Sequence, residues 1–247
     1  MPREALVHDP LPVLPEYYSS AAEKQRFVGQ LFDATARDYD RIQHVLDLGS
    51  GSWYRREALR RAGLAPGMRM LDVAVGTGLV AKEALGIVGD SGSVTGVDPS
   101  AGMMAGVVAE KLALVRGRAE ALPFAAHTFD FVALGYALRH LADLEQVSRE
   151  FYRVLRPGGR LLVLEITLPA GRLARTLLRT YLRGVGPLVS RIVGSGRDAP
   201  TLYRYYWDTI EACAPAERVV ATIAAAGFTR ISKRSQLGFL SEYSATA

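Results

Sequence analysis

One cysteine, Cys213, stands among 247 residues. A single thiol forms neither an internal disulfide nor a cysteine-rich zinc site, and chemistry that needs several thiols is excluded. The expected setting is a reducing cytoplasm. Nowhere do 18 apolar residues run together, so no helix is expected to span a membrane. The segment Met1–Pro15 holds four prolines and no apolar core of the kind a signal peptide needs, and residues 1–20 read as a mobile or draped arm. His8, His44 and His127 lack acidic or cysteine partners at ligand spacing, so no metal is expected. There is no internal repeat, no low-complexity tract, and no basic patch interleaved with stacking aromatics, which argues against nucleic acid as a partner. The net charge of +5 comes from scattered arginines rather than a block. It reads first as a solvated surface, with an anionic substrate or a membrane surface as the alternative.

What is present is a core. Hydrophobic residues make up 49% and charged residues 22%, enough for one large α/β domain. Phe27, Val28, Leu31, Phe32 and Thr35 recur at helical spacing, and Trp53–Gly63 reads as a basic helix closed by Gly63 and Pro66. Alternation begins at Met68. Strand Met68–Val75 is followed by helix Leu79–Val88, strand Ser93–Val97 with Asp98 at its end, helix Ala101–Leu112, and strand Ala113–Arg116. Strand Phe129–Tyr136, helix Leu141–Leu155 and strand Arg160–Ile166 continue it. Such a pattern implies right-handed crossovers and a parallel sheet. Residues 168–213 break the rhythm as a helical, arginine-rich insertion. Helix Ala216–Ala226 and strands Thr229–Ser235 and Phe239–Thr246 close the chain, the last two as an antiparallel hairpin. The expected fold is α/β and Rossmann-like: a seven-stranded, mostly parallel sheet, with a C-terminal antiparallel hairpin and a helical insertion before it.

Leu71-Asp72-Val73-Ala74-Val75-Gly76-Thr77-Gly78 sits at a strand-to-helix turn. Glycines there let the backbone approach a ligand, and the helix beyond offers unpaired N–H groups. Asp98 ends the next strand, 20 residues after Gly78, where a carboxylate can accept hydrogen bonds from both hydroxyls of a ribose. Together they indicate a cofactor containing adenosine. Gly76-Thr77-Gly78-Leu79-Val80-Ala81 also satisfies the dinucleotide pattern G-x-G-x-x-A, so NAD has to be weighed. Two features favour S-adenosylmethionine. Asp72 suits an ammonium or sulfonium but repels a pyrophosphate, and a terminal antiparallel hairpin belongs to methyltransferase sheets. A second glycine-rich stretch, Leu46-Asp47-Leu48-Gly49-Ser50-Gly51-Ser52, follows the polar Asp38–His44 rather than a strand, and reads as a helix end and turn near the pocket mouth.

These motifs resemble those of the ubiquinone/menaquinone biosynthesis C-methyltransferases. The resemblance runs from about Phe32 to the C-terminus. It is carried by Phe32-Asp33-Ala34-Thr35-Ala36-Arg37-Asp38-Tyr39-Asp40, Asp72–Gly78, Gly96-Val97-Asp98-Pro99-Ser100 with Met103 and Met104, and Glu120-Ala121-Leu122-Pro123-Phe124. Tyr136-Ala137-Leu138-Arg139-His140, Arg153–Leu161, Glu165, Tyr203-x-Tyr205-Tyr206 and Ala226-Gly227-Phe228 extend it. It implies cofactor roles for Thr77, Asp98 and the Arg118-Ala119 loop. Around them the expected cofactor lining is Tyr39, Asp72, Ala74, Gly76, Gly78, Pro99, Ser100, Met103, Glu120 and Gly135. Four positions depart from the family's usual residues. Arg118 stands for Asp or Asn, Gly135 for Ser, His140 for Asn, and Gln43 for Asn. These changes cluster around the expected acceptor pocket, which leaves the acceptor open between the family's quinone precursor and another ring.

Methyl transfer to a phenolic carbon needs an electron-rich ring, hence a base or a nearby positive charge. Arg139 is expected to stabilise the oxyanion, His140 to take the proton, and Glu165 to hydrogen-bond the acceptor. The plain alternatives are a salt-bridged Arg, a capping His and a solvated strand-end acid. The expected division is an arm and helical cap over 1–66 and a methyltransferase domain over 67–247, with 168–213 inserted as a lid. Arg172, Arg175, Arg179 and Arg183 share one face of that insertion, opposite Leu173, Leu177, Tyr181 and Leu182. The helix 172–183 is expected to roof the acceptor pocket, or to meet a membrane as a peripheral contact. The partners this implies are a small aromatic or isoprenoid-tailed acceptor and, left open, a second copy as a homodimer. Competing functions are O- or N-methylation of a small natural product, a nicotinamide-dependent oxidoreductase, and a non-catalytic cofactor-binding protein.

Overall fold

The computed structural model describes residues 13–107, 111–192 and 198–247. His8 and the first twelve residues of the expected arm lie outside them. Three helices precede the sheet: α1 (Ala21–Thr35), α2 (Tyr39–Leu46) and α3 (Gly51–Arg61). Ser20 starts α1, its side chain accepting the Glu23 N–H. The strands are β1 (Arg69–Val73), β2 (Ser93–Asp98), β3 (Leu112–Arg116), β4 (Phe129–Gly135), β5 (Leu155–Ile166), β6 (Thr229–Gln236) and β7 (Leu240–Thr246). Helix α4 (Leu79–Val88) follows β1, α5 (Ala101–Met104) follows β2, and α6 (Leu144–Val154) precedes β5.

The seven strands lie in the order β3-β2-β1-β4-β5-β7-β6, with β7 antiparallel to both its neighbours and the rest parallel. This is the expected sheet. Its central strands alternate between two cores. Leu71, Val73, Val132, Leu134, Leu161 and Val163 face one, against α6 and α10 (Ala216–Ala225). Met70, Phe131, Ala133, Leu162 and Leu164 face the other, against α3 and α4. Burial on both faces explains why these strands read as nearly continuous apolar runs. The order of strand addition reverses between the parallel neighbours β1 and β4, because β2 and β3 add on one side and β5 on the other. A crevice at the C-terminal ends of two such strands is where ligands bind in open α/β sheets.

Between β5 and α10 come α7 (Arg172–Thr180), a π turn (Tyr181–Val185), α8 (Gly186–Ile192) and α9 (Ala199–Ala212). Residues 193–197 of the insertion lie outside the described residues. A third core joins α9 to the first helices, through Tyr203, Tyr205, Tyr206, Trp207, Ile42, Leu31 and Tyr18. Two boundaries differ from expectation. The helix expected over 101–112 is α5, which ends at Met104, with Gly102 and Gly106 weakening any continuation. Strand β5 begins at Leu155 rather than Arg160, because Leu155 pairs with Phe129 and the Gly158 N–H is donated to Ala247 O.

Candidate active site

At the switch point lies a cavity of about 410 Å³. Its floor is made by Ala74 and Gly76 after β1, Asp98, Pro99 and Ser100 at the end of β2, and Gly135–Ala137 at the end of β4. Residues 116–120 close one side, with Met103, and Tyr39, His140 and Leu141 another. The roof is α1, through Gln25, Val28, Gly29, Phe32 and Asp33. Two strained backbone positions lie here. Ala74 and Tyr136 both hold positive φ, 56° and 60°, a conformation costing L residues about 1 kcal/mol or more. Gly78, at φ 82°, starts α4, and a side chain there would press on Val107. At Gly135 a Cβ would fall 2.7 Å from Val80 Cγ2, so any side chain there requires Val80 to move.

The carboxylate of Asp98 is buried at the cavity wall. One oxygen accepts the Ser100 N–H at 2.8 Å and the other the Gly76 N–H at 2.9 Å. Each oxygen keeps a lone pair for a further donor. Burial raises its pKa despite those two bonds. Asp72 is deeper. Its Oδ2 and the Thr77 Oγ1 are buried without a partner among the described residues. Burial pushes the Asp72 carboxyl up to about 8, opposed by the Ala81 N–H and aided by the charge of Asp98. Unpartnered buried acceptors are expensive unless a ligand completes them. Two buried carboxylates and an orphaned hydroxyl in a crevice of this size fit a nucleoside with a cationic tail. They do not fit a pyrophosphate, so S-adenosylmethionine suits these residues and a nicotinamide dinucleotide does not.

His140 lines the cavity and is half-buried there. Its ring stacks on Tyr205 at 5.5 Å and meets the edge of Phe32 at 5.2 Å. Nδ1 lies 3.4 Å from the Tyr205 hydroxyl, and Nε2 is buried with no partner among the described residues. Burial, then the positive charges of Arg139 and Lys24, hold its pKa well below the usual value, so the imidazole is neutral at physiological pH.

Arg139 and Glu165 do not line the cavity. They form a buried ion pair behind it. The guanidinium also donates to Thr209 Oγ1 and Tyr136 O, both at 3.1 Å, and its carbon lies 5.2 Å from the centre of the Tyr206 ring. Glu165 further accepts the backbone N–H of Arg139 and of Ile166. Arg139 thus fixes the 3₁₀ turn Leu138–His140 that presents His140. Arg118 ties the 116–120 loop to the roof, donating to Gln25 Oε1 at 2.9 Å and meeting Glu120 at 3.4 Å. Glu120 also accepts the Ala142 N–H. Tyr39, Ala74, Gly76, Asp98, Pro99, Ser100, Met103, Arg118, Ala119, Glu120, Gly135 and His140 all meet at the cavity, whereas Asp72 and Thr77 face a smaller cleft beside it and Gly78 lines neither.

Sequence reasoning missed the roof. Val28 and Phe32 carry the same helical signature whether they cover a ligand or a core. The one available signal was Gly29, a helix-interior glycine that packs against nothing. No residue of α7 lines the cavity; Arg172, Leu173, Arg175, Leu177 and Arg179 are all exposed. Among the described residues no group of three metal-ligating side chains occurs, and no helix is long and apolar enough to cross a membrane.

The fold and the sequence both have relatives. A demethylmenaquinone methyltransferase of Mycolicibacterium paratuberculosis is 36% identical over 214 residues, which is 86% of this chain and 90% of that protein. Two solved structures share the fold at under 20% identity. A SAM-dependent methyltransferase from Aquifex aeolicus superposes with a TM-score of 0.60 over 84% of this chain and 97% of its own, at 17% identity. A possible histamine N-methyltransferase from Thermotoga maritima gives 0.62 over 88% and 98%, at 19% identity. Residues 19–240 match the ubiE/COQ5 methyltransferase family. The chain belongs to that family.

Proposed function

We propose that the protein transfers a methyl group from S-adenosylmethionine to a ring carbon of a demethylated quinone in its reduced, phenolic form. The observation that carries this reading is His140: a neutral, half-buried imidazole whose buried Nε2 has no partner among the described residues, on the cavity that Asp98 and the glycine turn also line. The demethylmenaquinone methyltransferases at 36–37% identity supply the acceptor class.

When bound, the cofactor supplies a methyl group on a positively charged sulfur. Asp98 holds the ribose hydroxyls, and Asp72 with Thr77 holds the cationic tail. With Nδ1–H donated to the Tyr205 oxygen, His140 Nε2 carries the lone pair and accepts the proton of the ring hydroxyl. The ring carbon that gains the methyl then gives up its own hydrogen as a proton, which restores the aromatic ring, and S-adenosylhomocysteine is the leaving group. The positive field of Arg139 and Lys24 that keeps the imidazole neutral also favours the resulting phenolate. Arg139 acts as a positioning residue, because its guanidinium is committed to Glu165 and Thr209. Phe32, Val28 and Leu141 exclude water from the reacting ring.

An isoprenoid-tailed acceptor resides in lipid. Leu173 and Leu177 on α7 and Leu188 and Ile192 on α8 are 59–77% exposed. With Arg172, Arg175 and Arg179 beside them, these helices make the peripheral contact with an anionic bilayer from which the acceptor is drawn. Radiolabelled methyl transfer to a short-chain demethylmenaquinone tests the function. Label is expected in the extracted quinone only when the acceptor has been chemically reduced. No transfer to the reduced acceptor contradicts the proposal.

A further inference from the structure

The stretch Asp47-Leu48-Gly49-Ser50-Gly51 has a use that its helix-end reading did not give it. Leu48 and Gly49 hold positive φ, 51° and 78°, and turn the chain back so that Asp47 Oδ1 accepts the Gly49 N–H at 3.0 Å. Asp47 Oδ2 then lies 3.4 Å from Nη1 of Arg55, one turn into α3. A Cβ at Gly51 would fall 1.6 Å from that Oδ2 and 2.7 Å from that Nη1. Gly51 is therefore required for the pair to exist. Arg55 is held in place at 7% exposure, and its Nε is buried with no partner among the described residues.

Arg55 lines the smaller cleft, of about 50 Å³, together with Gln43, Asp72 and Thr77. Tyr39, Ala74, Gly76, Gly135 and Tyr136 line both this cleft and the large cavity, so the one opens into the other beside the glycine turn. A cation, an acid and a hydroxyl, each with an unused buried atom, thus border a space only a few atoms across. A lone anion would meet Asp72 and a lone cation would meet Arg55. The group that satisfies both is a zwitterion.

We propose that Arg55 is the carboxylate-binding residue for the amino-acid tail of S-adenosylmethionine, paired across the small cleft with Asp72 at the ammonium. The inference rests on that cofactor occupying the large cavity, and concerns its tail alone. Asp47 and Gly51 are positioning residues that hold the guanidinium against the cleft. An Arg carries both charge and a planar set of donors that matches a carboxylate.

Calorimetric titration with three ligands tests it: S-adenosylhomocysteine, its carboxamide, and 5′-methylthioadenosine, which keeps the nucleoside and sulfur but lacks the tail. The unsubstituted protein is expected to bind S-adenosylhomocysteine about ten- to a hundredfold more tightly than the carboxamide. Arg55→Met is expected to erase that preference while binding 5′-methylthioadenosine as before, which also reports that the variant is folded. Should Arg55→Met not fold, Arg55→Lys keeps the charge and is expected to lose part of the preference. Equal affinity of the unsubstituted protein for the acid and its amide, or an equal weakening of all three ligands in the variant, overturns the inference. Failure of the unsubstituted protein to bind either S-adenosylhomocysteine or 5′-methylthioadenosine contradicts the cofactor reading instead.

Discussion

The carboxylate of Asp98 accepts the Gly76 N–H at 2.9 Å, which ties the acid ending β2 to the turn that follows β1. One side chain therefore shapes the glycine turn and, in the role proposed for it, keeps its remaining lone pairs for the ribose. Asp98→Ala is expected to weaken S-adenosylhomocysteine about a hundredfold or more, since two charge-assisted hydrogen bonds and the loop tie are lost together. Asp98→Asn, which keeps one acceptor, is expected to lose less. Calorimetry checks both, and unchanged affinity in the alanine variant would remove Asp98 from the cofactor site.

Asp72 predicts proton release on binding. Its pKa in the free protein is pushed up to about 8 by burial, so the protonated form prevails at neutral pH. A cationic tail beside it lowers that pKa and expels the proton. Titrations in buffers of different ionisation enthalpy are expected to show close to one proton released at pH 7, and none in Asp72→Asn. The same group sets a stability trend. Because its folded pKa lies above the unfolded value near 4, its contribution is fully present below about pH 4 and is lost as pH rises to about 8. Asp72→Asn is expected to raise the melting temperature more at pH 9 than at pH 5.

His140→Ala is expected to lower kcat by roughly a hundredfold or more while leaving the affinity for S-adenosylhomocysteine within a few-fold. Burial and two neighbouring cations depress the imidazole pKa. The acid limb of the kcat profile is therefore expected well below pH 6.5, the value of an ordinary histidine. Turnover that matches the unsubstituted protein across pH would exclude His140 as the base.

The Arg139–Glu165 pair separates positioning from catalysis. Both partners are almost fully enclosed, and removing one strands the other charge in the core. Arg139→Met is expected to cost about 3–5 kcal/mol, seen as a melting temperature lower by about 10 °C. The double variant Arg139→Met/Glu165→Leu is expected to recover most of that stability. An Arg139→Met variant of unchanged stability would contradict a buried structural pair.

Membrane contact is read by co-sedimentation with vesicles containing anionic lipid at low salt. Leu173→Glu with Leu177→Glu is expected to abolish binding without altering the affinity for S-adenosylhomocysteine. Equal sedimentation of both proteins would place the contact elsewhere.

The sheet and the glycine turn were legible in the sequence because their signals are local. Alternating burial along β1, β4 and β5 imposes nearly unbroken apolar runs, and Asp72, Gly76, Gly78 and Asp98 fall within one βαβ unit. The partners that depend on tertiary packing were not legible. Arg139 and Glu165 are 26 residues apart, one on the turn after β4 and the other near the end of β5, and meet only because β4 lies beside β5. Arg55 comes to the cleft beside Asp72 and Thr77 on the helix that follows the turn at Leu48 and Gly49. Phe32 and Val28 read as core because roofing a cavity and packing a core use the same helical face. The early start of β5 at Leu155 is a pairing with Phe129, which no local pattern announces.

Carbon methylation is read from the position of the transferred methyl. The protein is incubated with S-adenosylmethionine carrying a ¹³C methyl group and with a reduced short-chain demethylmenaquinone, and the product is read by NMR. A labelled methyl carbon bonded to the ring is the predicted result. A label on oxygen, or no labelled quinone at all, would contradict it.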